Sequence, residues 1–345
     1  MEPKGRRFFA SAAIAMLVIC IVVPVAWILL NQNQGLNLDL VKVGQIHTGG
    51  STWDVEVRGE IAFVIDRNEP TPGGLVLINV SDRTDPKELS SFHDGGLPIA
   101  LDVADDLVYV ADTSDGLEII NVSDPKNPEE IGGYTGSGAV YDVQVVGDVA
   151  YVADWNSGLL ILNVTDPTNP LYLSGYSITG ACHQLHVVGN LAYVLDHRSE
   201  QTGTVIIDIS NPESPALVGS YMPDGDLWNP FVHGSYMYTG NHGSGGGELQ
   251  ILDVTDPSDI FQTGVFDAGG SVFAAVVQED IAYVADFEKG LFVVNVSNPG
   301  SPSLVGRFLD VPGAVNLDVI GDIVFVACRA GGLAIIQVSE IVPDN

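Results

Sequence analysis

The sequence predicts an all-β protein, a seven-bladed β-propeller of four-stranded blades in which an N-terminal strand closes the last blade, preceded by one transmembrane helix. Three observations lead to this prediction. One apolar segment recurs seven times, the residues within each repeat alternate with the period of two that strands require, and an uncharged segment of 23 residues lies near the N-terminus.

The uncharged segment spans residues 8–30, FFASAAIAMLVICIVVPVAWILL. At about 1.5 Å per residue, a helix of this length crosses a hydrocarbon core of roughly 30 Å. Residues 1–7 contain three basic side chains, which favour the cytoplasmic side. A cleaved signal peptide is the alternative, but its apolar part would be shorter and followed by small residues. The sequence therefore predicts a single-pass protein of the cell membrane with a cytoplasmic N-terminus, a linker at 31–37 and an extracellular domain.

Each repeat contains a segment such as VYVAD (108–112) and a second run such as DGLEIINVSD (115–124). A turn with proline and then an aromatic residue follow in most repeats. The last residues of the first segment lie 42 to 46 positions apart, and they are Asp66, Asp112, Asp154, Asp196, Asn241, Asp286 and Cys328. Four short strands in so short a repeat are typical of one propeller blade. Residues 38–345 are therefore predicted to form one domain of seven blades.

The two ends of the repeat array predict how the ring closes. The seventh repeat ends without a fourth strand, whereas residues 38–50, LDLVKVGQIHTGG, are similar to a fourth strand with Ile46 at the aromatic position. We expect this N-terminal strand to complete the last blade, which removes the open sheet edges that favour aggregation.

The runs LVLINVSD, LEIINVSDPKNP, LLILNVTDPTNP and LFVVNVSNPGSP, together with the YVAD segments, resemble the LVIVD-repeat family of surface β-propeller proteins. The resemblance covers all seven repeats. It implies a propeller fold and a place at the cell surface, and it brings no catalytic residues with it.

The charge balance excludes several partners. The chain has 44 acidic and 13 basic residues and a net charge of −31. Such a surface disfavours nucleic acid, and the lipid bilayer is expected to be contacted through residues 8–30 only. Three cysteines cannot form a disulfide framework. Cys182 and Cys328 are expected to be buried and unpaired.

Repeated acids are predicted along one rim of the ring, namely Asp54, Asp66, Asp112, Asp142, Asp154 and Asp286. Carboxylates at a rim could bind calcium. Aspartate before a glycine-containing turn also bonds to the backbone two residues on, and this structural interpretation is favoured.

The histidines interrupt the repeat and cluster in blades four and five. His183, His197 and His242 are expected on the same rim beside Asp196, and imidazole with carboxylate suits zinc. Solvated histidines at the ends of loops are the alternative interpretation. His183 and His186 are three residues apart on one strand and are expected to point to opposite faces.

Four Asn-Val-Ser/Thr sequences recur in the second run of the repeat, at Asn79, Asn121, Asn163 and Asn295. An extracellular asparagine in this context is a candidate glycosylation site. Since the repeat itself places these residues at a strand end, a role as a turn partner is favoured.

Together these features predict a membrane-anchored extracellular module that binds protein or glycan partners, with no catalytic residue assigned and an enzyme disfavoured. One alternative is a metal-dependent lyase or hydrolase at the rim of blades four and five. Another is a surface-layer component stabilised by a divalent cation, calcium or zinc.

Overall fold

Within the part of the chain that the structure describes, twenty-eight strands, labelled β1 to β28 in chain order, form seven antiparallel sheets of four strands each. The computed structural model describes residues 37–67, 73–136, 139–198, 201–223, 225–241 and 247–340. These residues contain no helix, so none of them provides a helix able to cross a membrane. The predicted span at 8–30, its basic flank and the linker up to residue 36 lie outside the described residues. The propeller belongs to one unit, Leu38–Asn345.

Strands A to D of each blade follow one another from the central channel outward. Blades one to three consist of β2 Ser51–Arg58, β3 Ile61–Arg67, β4 Gly74–Asn79 and β5 Lys87–Phe92; β6 Pro98–Ala104, β7 Leu107–Asp112, β8 Gly116–Asn121 and β9 Glu129–Tyr134; β10 Val140–Val146, β11 Val149–Asp154, β12 Gly158–Asn163 and β13 Leu171–Tyr176.

The next three blades follow the same order. They consist of β14 Ala181–Val188, β15 Leu191–Arg198, β16 Gln201–Asp208 and β17 Ala216–Tyr221; β18 Leu227–His233, β19 Tyr236–Asn241, β20 Gly247–Asp253 and β21 Phe261–Gly270; β22 Val272–Gln278, β23 Ile281–Asp286, β24 Gly290–Asn295 and β25 Ser303–Phe308. The seventh blade has the order β26 Asn316–Ile320, β27 Ile323–Ala327, β28 Leu333–Glu340 and β1 Leu38–Ile46.

Strands B and C form the core because neighbouring blades cover both of their faces. Val152 in β11 and Ile161 in β12 are fully buried, and they pack into two different clusters, one shared with blade two and one shared with blade four. Burial on both sides explains why these strands are apolar almost throughout instead of alternating. The core therefore runs as a continuous ring between the sheets.

Strand D needs a small residue at the position where the next blade approaches. A Cβ atom added to Gly132 would lie 2.2 Å from the Pro167 carbonyl oxygen, and one added to Gly219 would lie 2.1 Å from that of Pro257. Ser90 occupies the same position in blade one and donates a hydrogen bond of 2.6 Å to the Pro125 carbonyl. The proline turn of each repeat thus packs directly against the preceding blade.

The predicted closure of the ring is confirmed. β1 pairs with β28, and Ile46 lies opposite Leu333 as Phe92 lies opposite Leu75 in blade one. Lys42 also binds Asp310, on the segment that follows blade six, at 2.7 Å. The first strand of the propeller therefore joins its two ends without a covalent link.

Removing residues 1–47 should open the ring, because β28 would lose its partner strand. Burial of Leu40 stabilises the fold by about 1.5–3 kcal/mol, and the partly buried Ile46 and the lost strand pairing add to this. We therefore expect the free energy of unfolding to fall by more than about 3 kcal/mol and the protein to self-associate through β28. Urea unfolding and sedimentation velocity measure these effects. The control removes residues 1–36 and retains β1; equal unfolding midpoints for the two proteins would contradict the closure.

Candidate functional site

The candidate site lies at the mouth of the central channel, on the face where strands A begin and strands B end. An irregularity in the pairing of strands A and B shapes this mouth in blades one to six. In blade one the pairing passes from Thr52 to Asp54, so Trp53 is an extra residue of the kind found in a β-bulge. Trp53 and Asp54 consequently both line the channel, although successive residues of a regular strand would point apart.

Aromatic side chains follow the mouth around most of the ring, and we call them the aromatic belt. Its members come from strand A and from the residue that follows strand-B segments: Trp53, Tyr141, Trp155, His183, His197, Trp228, Phe273 and Phe287. Neighbouring ring centroids are 4.8 Å apart for Tyr141 and Trp155, and 4.8 Å apart for His183 and Trp228. All members are partly exposed, so the belt presents some ring surface to solvent, while Trp53 and Phe273 also pack against the core.

Two arginines close the belt between blades seven and one. The Arg329 guanidinium lies 3.2 Å from the centre of the Trp53 ring and 5.8 Å from that of Phe287, and the Arg67 guanidinium lies 4.8 Å from Trp53. Burial, together with the nearby charge of Arg67, lowers the pKa of Arg329 to about 10, so it stays charged at neutral pH. Its Nε–H is buried and has no hydrogen-bond acceptor among the described residues. Between blades seven and one, the belt therefore contains a guanidinium that is stacked on Trp53 and, within the described part of the chain, has an unpaired N–H group.

Polar side chains form the floor beneath the belt, around a cavity of about 80 Å³. Each one also joins its blade to the next. Asp54 accepts a hydrogen bond of 2.8 Å from the Leu101 N–H, and Asp142 accepts one of 2.9 Å from the Leu185 N–H. The floor is thus held rigidly by the backbone of the neighbouring strand A.

A second polar tier lies further along the channel and lines a separate cavity of about 270 Å³. Glu56 accepts from the Val103 N–H at 3.0 Å, Asp102 from the Val145 N–H at 2.8 Å, and the His186 ring nitrogen contacts the Val232 N–H at 3.1 Å. The pattern repeats from blade to blade, as it does in the tier above.

Burial shifts the titration of these channel groups. It raises the pKa of Asp54 to about 6 and the pKa values of Glu56 and Asp142 to about 8. Burial lowers the pKa of His186 to about 4, so this ring is neutral at pH 7. At neutral pH the channel therefore carries fewer charges than its composition suggests.

The structure describes three of the four predicted zinc ligands, His183, His197 and Asp196. His183 and His197 do approach each other, with ring centroids 6.4 Å apart, but both belong to the aromatic belt, and burial lowers the pKa of His183 to about 4. Asp196 is fully buried behind them. His242 lies outside the described residues, so the proposed metal site stays a prediction. His186 was expected on the face opposite His183; the irregular pairing between Cys182 and Leu185 instead lets both rings line the channel.

The predicted rim acids mostly hold turns. Asp112 accepts hydrogen bonds from the Ser114 and Asp115 N–H groups at 2.7 and 3.0 Å. Asp154 and Asp286 each accept from the N–H groups two and three residues on in the same way. Asp66 accepts instead from the Gly50 N–H at 3.1 Å. Asp54 and Asp142 lie in the channel rather than at a rim. At least one oxygen of each acid accepts from the backbone, which favours the structural interpretation, although Asp66 Oδ1, Asp112 Oδ2 and Asp286 Oδ2 are buried without a hydrogen-bond partner among the described residues.

The recurring asparagines and the cysteines have structural surroundings too. Asn79, Asn121, Asn163 and Asn295 each accept a hydrogen bond of 2.9 Å from the backbone N–H two residues on. They are therefore turn partners, and their glycosylation stays a prediction. Cys182 and Cys328 are buried and unpaired, as expected.

The aromatic belt as a whole was missed in the sequence, although a signal for it exists. Strand B ends in aspartate in five of the seven repeats, but the next residue differs between blades. These residues are Arg67, Thr113, Trp155, His197, His242, Phe287 and Arg329. A repeat needs no such variety at a turn. Bulky aromatic and cationic residues at one variable position of a regular repeat indicate a candidate binding surface.

Comparison with known proteins agrees with this architecture. The model of the LVIVD repeat matches seven segments, at residues 49–94, 99–136, 137–177, 179–223, 224–267, 269–310 and 313–341. No curated protein matches the chain. The computationally designed Ika8 protein has a similar structure, with a TM-score of 0.64, 9% identity and coverage of 86% of this chain and 99% of its own. Hydrazine synthase of Kuenenia stuttgartiensis has a TM-score of 0.66, 13% identity and coverage of 86% and 98%. At such identities both support the fold alone.

The raised pKa values of the channel acids predict that stability falls as pH rises. Between about pH 4 and pH 8 the folded state holds protons on Asp142 and Glu56 that the unfolded chain has released. The free energy of unfolding should then decrease by up to about 1.4 kcal/mol per pH unit for each such group. Urea unfolding at pH 4.5, 6 and 8 measures the slope.

The variant Asp142→Asn tests the assignment because its side chain cannot ionise. We expect a shallower slope than in the parent protein, whatever the variant's stability at a single pH. The exposed Asp106→Asn makes the same chemical change outside the channel and should leave the slope unaltered. An unchanged slope in Asp142→Asn would contradict the shift.

Proposed function

We propose that this chain, which belongs to the LVIVD repeat family, is a binding module of the cell surface that takes a glycan on its aromatic belt. The belt is the single observation that carries the proposal. It places ring faces, two guanidinium groups and a floor of carboxylate and amide groups around one opening.

The chemistry of a sugar matches these surroundings. A sugar ring has apolar C–H faces, which pack on aromatic rings, and a periphery of hydroxyl groups, which need hydrogen-bond partners. Binding sites commonly combine aromatic surface with a few placed polar groups. Around the belt, the partly exposed rings of Tyr141, Trp155 and Trp228 offer apolar surface, and the positive charge of Arg329, stacked on Trp53, favours an acidic or hydroxyl-rich ligand.

The alternative of catalysis has less support in the floor of the site. Asp54 and Asp142 already accept two backbone hydrogen bonds each, one from the following residue and one from the next blade. Carboxylates engaged in this way hold the ring together. A rigid floor suits recognition, because a preformed site loses less entropy when it binds.

Anchoring through residues 8–30 is part of the proposal and rests on their length and lack of charge. The topology of the propeller is compatible with it. Leu38, the first residue of β1, pairs with Glu340 at the end of the propeller opposite to the belt. The chain therefore enters the propeller away from the opening, and a glycan on the belt does not obstruct this entry.

Tryptophan fluorescence of the full chain in detergent micelles tests the proposal. The chain has four tryptophans, and three of them, Trp53, Trp155 and Trp228, belong to the belt. Titration with a panel of neutral and acidic oligosaccharides should shift or quench the emission for at least one of them. The variant Tyr141→Ala should weaken that binding by at least about tenfold, as expected for a central aromatic contact.

The matched control is Tyr172→Ala, since Tyr172 is 52% exposed on the outer strand β13, away from the belt. It should bind as the parent protein does. Equal weakening by both variants, or an absence of response to the whole panel, would refute glycan binding on the aromatic belt. A protein captured from the cell surface whose binding Tyr141→Ala abolishes would instead assign the belt to a protein partner.

A further inference from the structure

One buried acid interrupts the core of blade two. Glu118 lies in strand C, opposite Val110 of strand B. The residues at the same register position of the other blades are Val76, Leu160, Val205, Gln250, Phe292 and Ala334. The repeat thus places an apolar side chain here in five blades and a neutral amide in one. A glutamate at this position is not required by the fold.

The surroundings of Glu118 do not satisfy it. The residue is only 6% exposed, and its Oε1 atom has no hydrogen-bond partner among the described residues. Leaving a buried polar atom unpaired costs about 1–3 kcal/mol, and more when the group is charged. A cation in contact with this oxygen would remove that cost.

Two further carboxylates converge on this glutamate. Asp94 comes from the loop that enters blade two, and Asp115 comes from the turn between strands B and C of that blade. One oxygen from each of the three residues lies within 4.8 Å of the others, and both aspartates are exposed. The cluster is therefore open to solvent on one side and buried on the other.

These oxygens lie close enough together to contact one cation. Calcium takes oxygen ligands at about 2.4 Å, so two of its ligands can be at most about 4.8 Å apart. Magnesium requires nearly ideal octahedral geometry at about 2.1 Å and is usually held by only one or two carboxylates with several waters, so three converging carboxylates favour calcium. Carboxylates without a nitrogen or sulfur ligand also favour a hard cation over zinc.

The two exposed ligands are held in place by the backbone of their loops. Asp94 accepts a hydrogen bond of 3.1 Å from the Gly96 N–H, and the Asp115 N–H donates to Asp112 at 3.0 Å.

We propose that Asp94, Asp115 and Glu118 bind one calcium ion, which ties the loop entering blade two to the turn between its strands B and C. The site is separate from the aromatic belt, and its proposal does not depend on the glycan. Water molecules would supply the remaining ligands on the exposed side.

Isothermal titration calorimetry of the full chain in detergent micelles, stripped with a chelator, tests the site with calcium chloride. We expect one calcium ion per chain and a rise of several degrees in the melting temperature at saturating calcium. Magnesium chloride should bind at least tenfold more weakly. Failure of the stripped protein to bind calcium would overturn the proposal, and tighter binding of magnesium would overturn the choice of ion.

Two variants locate the ion. Glu118→Gln keeps the size of the side chain and should weaken calcium binding at least tenfold. Glu118→Leu carries the leucine found in blade three, so it should fold without calcium and lose the calcium-dependent rise in melting temperature. Glu130→Gln removes a charge from an exposed neighbouring glutamate and should bind calcium like the parent protein. An equal response to calcium in Glu118→Leu and the parent would overturn the site.

Discussion

The contact on which the rest of the propeller depends is the hydrogen bond from the backbone of one innermost strand to a side chain of the preceding one. Asp54 accepts from Leu101, Asp142 from Leu185 and Asp318 from Val57, the last of these across the point where the ring closes. Strand A has no further strand on its inner side, so these side chains take the place of a neighbouring sheet. They satisfy N–H groups that would otherwise be unpaired in a narrow channel.

This arrangement also creates the opening above it. A side chain that must reach the next blade has to point into the channel, and the extra residue before it then lies at the mouth. In five blades that mouth position is aromatic, at Trp53, Tyr141, His183, Trp228 and Phe273. The fold therefore supplies a ring of equivalent positions, and the choice of side chains at these positions decides what the surface can bind. Blade two, with Ile99 at this position, leaves the belt open on one side.

Much of the architecture could be predicted because the same pattern of strands and turns recurs seven times in the sequence. The strand order, the blade number and closure by β1 followed from spacing and from Ile46 standing at an aromatic position. The site could not be predicted as well, because period-two alternation gives the wrong direction for residues beside a bulge. For this reason His183 and His186 were separated in the prediction, and Trp53 was not linked with Trp228. Distances between blades depend on the curvature of the ring, which no single repeat contains.

Residues that the repeated fold does not require are the best candidates for function in this chain. Most acids of this protein serve turns or neighbouring strands, as Asp112 and Asp142 do, so the net charge of −31 is largely a consequence of the repeated fold. A residue that the repeat does not require needs a different explanation. Arg329 has a backbone φ of 45°, a conformation that glycine adopts more readily, and it retains an unpaired buried donor beside Trp53. Glu118 occupies a position that is apolar in five other blades. Both residues carry a cost that the repeated fold does not require, and the proposed glycan and calcium ion would offset it.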